Sequence, residues 1–358
     1  MKAQERKAVN PQLVTLARLT RRLTQSQLAD RLGVGQGTIS KIEAGVIGVT
    51  EDEADGVASV LDYPRHFFFS DVRIEGPGVP ELYHNRKKRK VGATALQCAY
   101  ATAAVREMHI DALLRSWEPV DDFPAFPIDE FHYDPPKIAR TIRAMWRIPP
   151  GPIHNITELI EEAGGIIMRC DFATPHIDGF SRYRKSKPPL YFLNINLLPD
   201  RWRWTLAHEL GHVVMHSSAD PYDDIEKDAN QFASEFLMPA QEIRSQLLNL
   251  SFQKLAALKR QWKVAMQALL MRAGDLDLIT PRQKQYMFMS LTKAGYRMRE
   301  PEALDPPVEE PKLLAAIIEY HRVTLDYSEE DIRQALAVGE GDYYAWYAPD
   351  KAHLRVVE

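Results

Sequence analysis

The chain has 358 residues, 45% hydrophobic and 26% charged, with a formal net charge of −4. This composition excludes a disordered or fibrous chain, and the length exceeds what one core usually holds, so two or more domains are expected. The two cysteines, Cys98 and Cys170, stand far apart and outside any CxxC pattern, which argues against a disulfide framework and against a thiolate metal site.

Charge is uneven along the chain. Residues 1–50 hold eight Lys/Arg against three acids, a local excess of +5 on a mildly acidic body, the kind of footprint that suits nucleic acid. Residues 1–10 lack the apolar stretch of a secretory signal, and the longest apolar runs, such as 313–318, are too short to cross a bilayer. A cytoplasmic protein with no membrane partner is the expectation.

Residues 11–69 read as short helices. The first places Leu13, Leu16, Ala17 and Thr20 on one face. Thr24-Gln25-Ser26-Gln27 forms a capping box before a helix that buries Leu28, Ala29 and Leu32 and stops at Gly33. A third helix, 36–44, turns Ile39 and Ile42 inward. A fourth starts at the cap Thr50-Glu51-Asp52-Glu53 and buries Ala54, Val57, Ala58 and Leu61. Two short helices joined by a glycine-containing turn fit one helix into a DNA major groove. The side chains left outside on that helix are Gln36, Thr38, Ser40 and Lys41; Gln suits an adenine edge and Lys a guanine edge or a phosphate. Gln25, at a helix start, sits where backbone N–H groups favour phosphate.

The stretch 23–34, continuing through Ile39-Ser40-Lys41-Ile42-Glu43-Ala44-Gly45, closely resembles the XRE/Cro-type helix-turn-helix family, and Leu61-Asp62-Tyr63-Pro64 through Phe69 resembles its closing segment. Gly35 departs from the family, which usually has a serine-like cap there. The resemblance implies a five-helix domain over 1–72, double-stranded operator DNA as partner and, by analogy, a homodimer.

A Gly/Pro break and the basic run 86–90 follow, read as a solvated linker. Residues 93–117 form an alanine-rich helix, and a proline-rich break at 118–136 separates this 73–131 connector from the next domain. Helices are expected at 138–146 and 156–163, and strands at 166–170 and 190–196.

His208-Glu209-Leu210-Gly211-His212 is an HExxH motif in a helical context. Residues four apart share a face, so both imidazoles converge on one ion while Glu209 stands beside them as general base. A catalytic zinc site needs a third protein ligand. His216 is too far along, since eight residues of helix span ~12 Å; it reads as a support or packing residue. The following helix buries Ile225, Ala229, Phe232, Ala233 and Phe236. Glu226 faces the first helix from it, one turn before Asn230, which is read as a supporting residue; Asp228 falls on the other side, and Glu235 is the alternative ligand.

The run Arg201-Trp202-Arg203-Trp204 through His212, with Glu226-Lys227-Asp228-Ala229-Asn230-Gln231-Phe232-Ala233 and Leu237-Met238-Pro239, resembles the ImmA/IrrE metallopeptidase family. The resemblance implies a gluzincin-like domain over 132–248, a small sheet flanked by helices. It also implies Zn²⁺ on two histidines and a glutamate, and endopeptidase action on a protein, often a transcriptional repressor. Residues 178–181 and the strand 190–196 would border a cleft where a peptide adds as a strand. The whole chain is thus expected to be α+β, mostly α.

The tail 249–358 reads as a helical extension, amphipathic at 252–271 and 313–321, with 300–311 a linker or surface loop and Tyr286 and Tyr296 as packing residues. Two readings compete with a regulator-protease: a DNA-binding regulator whose metal domain only senses, and an antitoxin-like interaction protein.

Overall fold

The computed structural model of the chain describes residues 9–71, 91–117, 123–216 and 224–348. The basic run 86–90 lies outside the described residues.

Four α-helices open the chain, α1 (Pro11–Thr20), α2 (Gln25–Leu32), α3 (Gln36–Glu43) and α4 (Glu51–Leu61), followed by a fifth, 3-10 segment at Arg65–Phe69. Their ends follow local chemistry. Thr24 and Thr50 form reciprocal capping boxes with Gln27 and Glu53, each satisfying two orphan donors. Gly33 ends α2 at φ +68°, a conformation that costs glycine nothing. Gly35 gives α3 no side-chain cap. Leu16 and Leu32, expected inside, are only half-buried, while Val14 and Arg18 take buried places on α1. Arg18 survives there because Glu43 lies 2.5 Å from its Nε and the Leu23 carbonyl accepts from its Nη1 at 2.7 Å.

The connecting helix α5 (Ala93–Leu113) is more than a tether. Val105 enters the amino-terminal core, whereas Ala99, Ala103, Ile110 and Leu113 enter the core over the sheet. Small apolar residues recur around much of its surface, so both neighbours pack on it, while Glu107 and Asp111 pair with Arg182 and Arg184.

Next come α6 (Pro135–Met145), α7 (Ile156–Glu162), β1 (Ile166–Cys170), β2 (Gly179–Arg182), β3 (Leu190–Asn194), α8 (Pro199–Met215) and α9 (Ile225–Leu237). The sheet order is β1-β3-β2, with β3 parallel to β1 and antiparallel to β2. Every residue of β3 is buried, as a strand covered on both faces requires. Of the two segments expected to border a peptide-binding cleft, 190–196 holds β3, the central strand hydrogen-bonded on both sides, whereas 178–181 runs into β2 at a sheet edge. The four residues of β2 are too few to show a strand pattern.

The remaining helices are α10 (Ala240–Ile243), α11 (Phe252–Trp262), α12 (Met266–Asp275), α13 (Pro281–Lys293), α14 (Leu313–Val323), α15 (Glu329–Leu336) and α16 (Glu340–Tyr347). The apolar pattern over 252–271 is cut in two at Lys263, which takes φ +56°. α11 and α12 share a core with α8 and α9 through Leu255, Trp262, Leu269 and Leu270, on the sheet face carrying Ile167, Tyr191 and Leu193. α14–α16 cover the other face through Ile317, Ile318, Ile332 and Tyr343. They also hold the amino-terminal helices: Arg21 pairs with Asp342 at 2.7 Å, and His66 Nε2 lies 3.0 Å from the Gln334 carbonyl.

The stretch 300–311 is not a loose loop. Glu309 is buried against Arg203 of α8, and its Oε2 accepts from the backbone N–H groups of Ile156 (3.0 Å) and Thr157 (3.1 Å). Glu300 is buried 2.9 Å from the fully buried ammonium of Lys259. Proline and acid content suggested exposure, but the cations that hold these acids lie far back in the sequence. Tyr286, expected to pack, is 69% exposed, while Tyr296 packs against Phe252 with ring centroids 5.4 Å apart. Among the described residues no helix is long and apolar enough to cross a membrane.

Candidate functional site

The paired imidazoles come from one face of α8, and the acid opposite them comes from the first turn of α9. What lets the helices approach is Gly211. A Cβ there would meet the Phe232 side chain at 3.0–3.3 Å, so a larger residue fits only where Phe232 or α9 gives way.

His208 Nε2 and His212 Nε2 stand 3.1 Å apart. Glu226 Oε2 is 3.6 Å from the first and Oε1 is 3.4 Å from the second. Among the described residues these three form the group whose ligand atoms all lie within 4.8 Å of one another. Ligands bound at 2.0–2.1 Å to a tetrahedral ion stand about 3.3 Å from each other. The observed spacing therefore fits a divalent cation without rearrangement.

His216 is buried at the end of α8, with its Nδ1 3.0 Å from the Nδ1 of His212, leaving the His212 Nε2 turned to Glu226. Asn230 touches the backbone rather than the carboxylate of Glu226, its Nδ2 donating to that carbonyl at 2.6 Å. Glu235, the alternative ligand, is buried between Arg272 and Arg140 and takes no part in the cluster. Asp228 is buried and lies outside the cluster.

Glu209 is buried beside the histidines and accepts from Ser181 Oγ at 2.8 Å. Ser181 was legible only as a residue near the cleft; its contact with Glu209 depends on β2 lying against α8. Burial, with the Glu209 charge adding to it, raises the Tyr100 and Tyr191 hydroxyls well above the usual phenol range. Alongside Glu226 opens a cleft of about 1760 Å³, bordered by Trp204, Asn230 and α12.

On α3, Gln36, Ser40 and Lys41 are exposed and Thr38 half-buried, with Ile39 and Ile42 anchoring the opposite face. Gln25 spends its side chain within the protein: its Nε2 donates to Glu43 Oε2 at 2.8 Å, and its Oε1 accepts from Gln36 Nε2 at 2.8 Å. Arg18, Glu43 and Gln25 thus form a relay that orients Gln36, a chain invisible in the linear pattern.

A family model for the helix-turn-helix matches residues 16–68, covering α2 and α3. A second, described as an IrrE N-terminal-like domain, matches residues 160–273 and contains His208, Glu209, His212 and Glu226. No curated protein matches the chain. The chain therefore carries a helix-turn-helix domain ahead of an IrrE N-terminal-like domain.

Proposed function

We propose that this protein is a DNA-binding transcriptional regulator whose IrrE-like domain is a zinc-dependent endopeptidase. Zn²⁺ is held by His208, His212 and Glu226, and the substrate is a protein, with a transcriptional repressor the leading class. The site of action is the cytoplasm, and the operator is read as a homodimer. The observation that carries the reading is the convergence of two imidazoles and one carboxylate beside a fourth group, Glu209, that is not among the ligands.

Two nitrogens and one oxygen are a donor set that zinc takes readily, leaving a position open. When bound there, the ion supplies a Lewis acid that acidifies water and polarises the scissile carbonyl. Glu209 is placed to take the proton of the attacking water and to hand it to the leaving amine nitrogen. Ser181 holds that carboxylate in one rotamer, and His216 holds the ring of His212. At the other end, Gln36, oriented by Gln25, reads a base edge in the major groove, and Thr38, Ser40 and Lys41 flank it.

The test is metal analysis with the Glu209→Gln variant. The wild-type chain should hold close to one zinc, the variant should keep it, and comparative mass spectrometry of cell lysates should show a protein cut only by the wild type. His208→Ala should lose both metal and cleavage. A sensory site needs no general base, so Glu209→Gln regulating as well as the wild type in cells would replace the peptidase with a sensor.

A further inference from the structure

The cleft beside the metal cluster is larger than a small ligand requires: about 1760 Å³, against ~300–1,000 Å³ for ordinary small-molecule pockets. One side of it is a single helix. Glu226, Asn230, Gln231 and Ser234 of α9 all line it, a run of ~12 Å at the helical rise. An extended polypeptide advances ~3.3 Å per residue, so three to four residues separate the metal cluster from the far end. Gln231 is exposed along this run and carries both a donor and an acceptor, as a peptide backbone does.

The far end is built by the helices after the HExxH core. α12 is pinned to α9 through Arg272, which donates to the Met238 carbonyl at 3.0 Å and pairs with Glu235. Next to that anchor a set of large apolar side chains, Met271, Phe288, Tyr296 and Met298, borders the cleft among the polar groups of Gln267, Asp275 and Arg297. Met271 is 43% and Met298 90% exposed. Tyr296 is backed by Phe252 and Phe288 packs against the same core, so the wall has two firm rings and two flexible thioethers. Unbranched, polarisable methionines adapt to apolar partners of varied shape.

We propose that this wall is a specificity subsite. An extended segment of a protein substrate lies along α9, and a bulky apolar side chain three or four residues from the scissile bond docks against Met271, Phe288, Tyr296 and Met298. The position of the scissile bond rests on the zinc-peptidase reading above. The apolar preference of the groove does not.

The experiment uses the zinc-loaded full-length chain carrying Glu209→Gln and two fluorescein-labelled Gly/Ser nonapeptides, one with a single Phe and one with Asp in its place. Anisotropy should show the Phe peptide binding about tenfold tighter, the scale of one buried aromatic side chain. Adding Met298→Asp, at an exposed position that removes no buried contact, should cut the preference below about twofold with zinc content unchanged; Met271→Asp should act alike. Equal binding of the two peptides, or a preference that survives both variants, overturns the proposal. The register is read from wild-type cuts in β-casein, where Leu, Phe or Met should be enriched three or four residues from the cut. Cleavage without that enrichment sinks the subsite and leaves the peptidase standing. Zinc and Phe preference without any cleavage sinks the peptidase and leaves the groove.

Discussion

Replacing Glu309 with alanine tests whether the tail is part of the body that carries the IrrE N-terminal-like domain. Arg203 is fully buried on α8, five residues before His208, and burial draws its guanidinium down to about 10, so it stays charged at neutral pH. Glu309 neutralises it and accepts from Ile156 N, Thr157 N and Thr157 Oγ1 at 3.0–3.2 Å. Ile153 O remains as a partner at 2.7 Å, but a carbonyl does not cancel a charge. Removing one member of a buried ion pair costs ~3–5 kcal/mol, because the other is left uncompensated. Glu309→Gln keeps an acceptor and should cost less, about 1–3 kcal/mol. Urea unfolding followed by tryptophan fluorescence reads the loss, since Trp202 donates to Thr157 Oγ1 at 2.9 Å in the same cluster. Zinc retention measured on the same samples should fall with it. A cost for Glu309→Ala below about 1 kcal/mol would show that 300–311 behaves as the free loop its composition suggests, and the buried-anchor argument would fail.

Three other perturbations bear on separate parts of the molecule. His109, buried against Tyr347 with its Nδ1 2.7 Å from that hydroxyl, is depressed from 6.5 to about 3 by burial and then by the Arg106 charge. It is neutral when folded and protonated when unfolded, so its contribution is complete above pH 6.5 and is lost as pH falls towards 3; linkage gives a loss of roughly 2 kcal/mol between pH 7 and pH 5. His109→Gln should flatten that part of the stability profile, and an unchanged slope would assign the acid sensitivity elsewhere. Gly211→Ala should weaken zinc binding by forcing α8 from Phe232, an overpacking cost of ~1–3 kcal/mol partly offset by ~1 kcal/mol of helix propensity; undiminished zinc affinity would mean that Phe232 yields. Gln36→Ala and Lys41→Ala should each weaken binding to a selected operator by ~1–3 kcal/mol in gel shifts, with Gln25→Ala following Gln36→Ala; unchanged binding would remove α3 from the groove.

Local chemistry was readable from the chain alone. Capping boxes at Thr24 and Thr50, the glycine stop at Gly33 and the four-residue step from His208 to His212 each involve a few neighbours, whose spacing the helical repeat converts directly into geometry. Such short patterns gave the helices, and the resemblance of longer stretches to two known families implied the domain types. What depended on partners distant in sequence was not readable. Glu235 and Glu226 look alike on α9 until Arg272 and Arg140 neutralise the former. Four residues of β2 carry no pattern until β3 pairs with them and sets Ser181 on Glu209. Glu300 and Glu309 sit in a stretch that reads as solvated until Lys259 and Arg203 bury them. A charged side chain is placed by the counter-charge that makes its burial affordable, and only tertiary packing brings the two together.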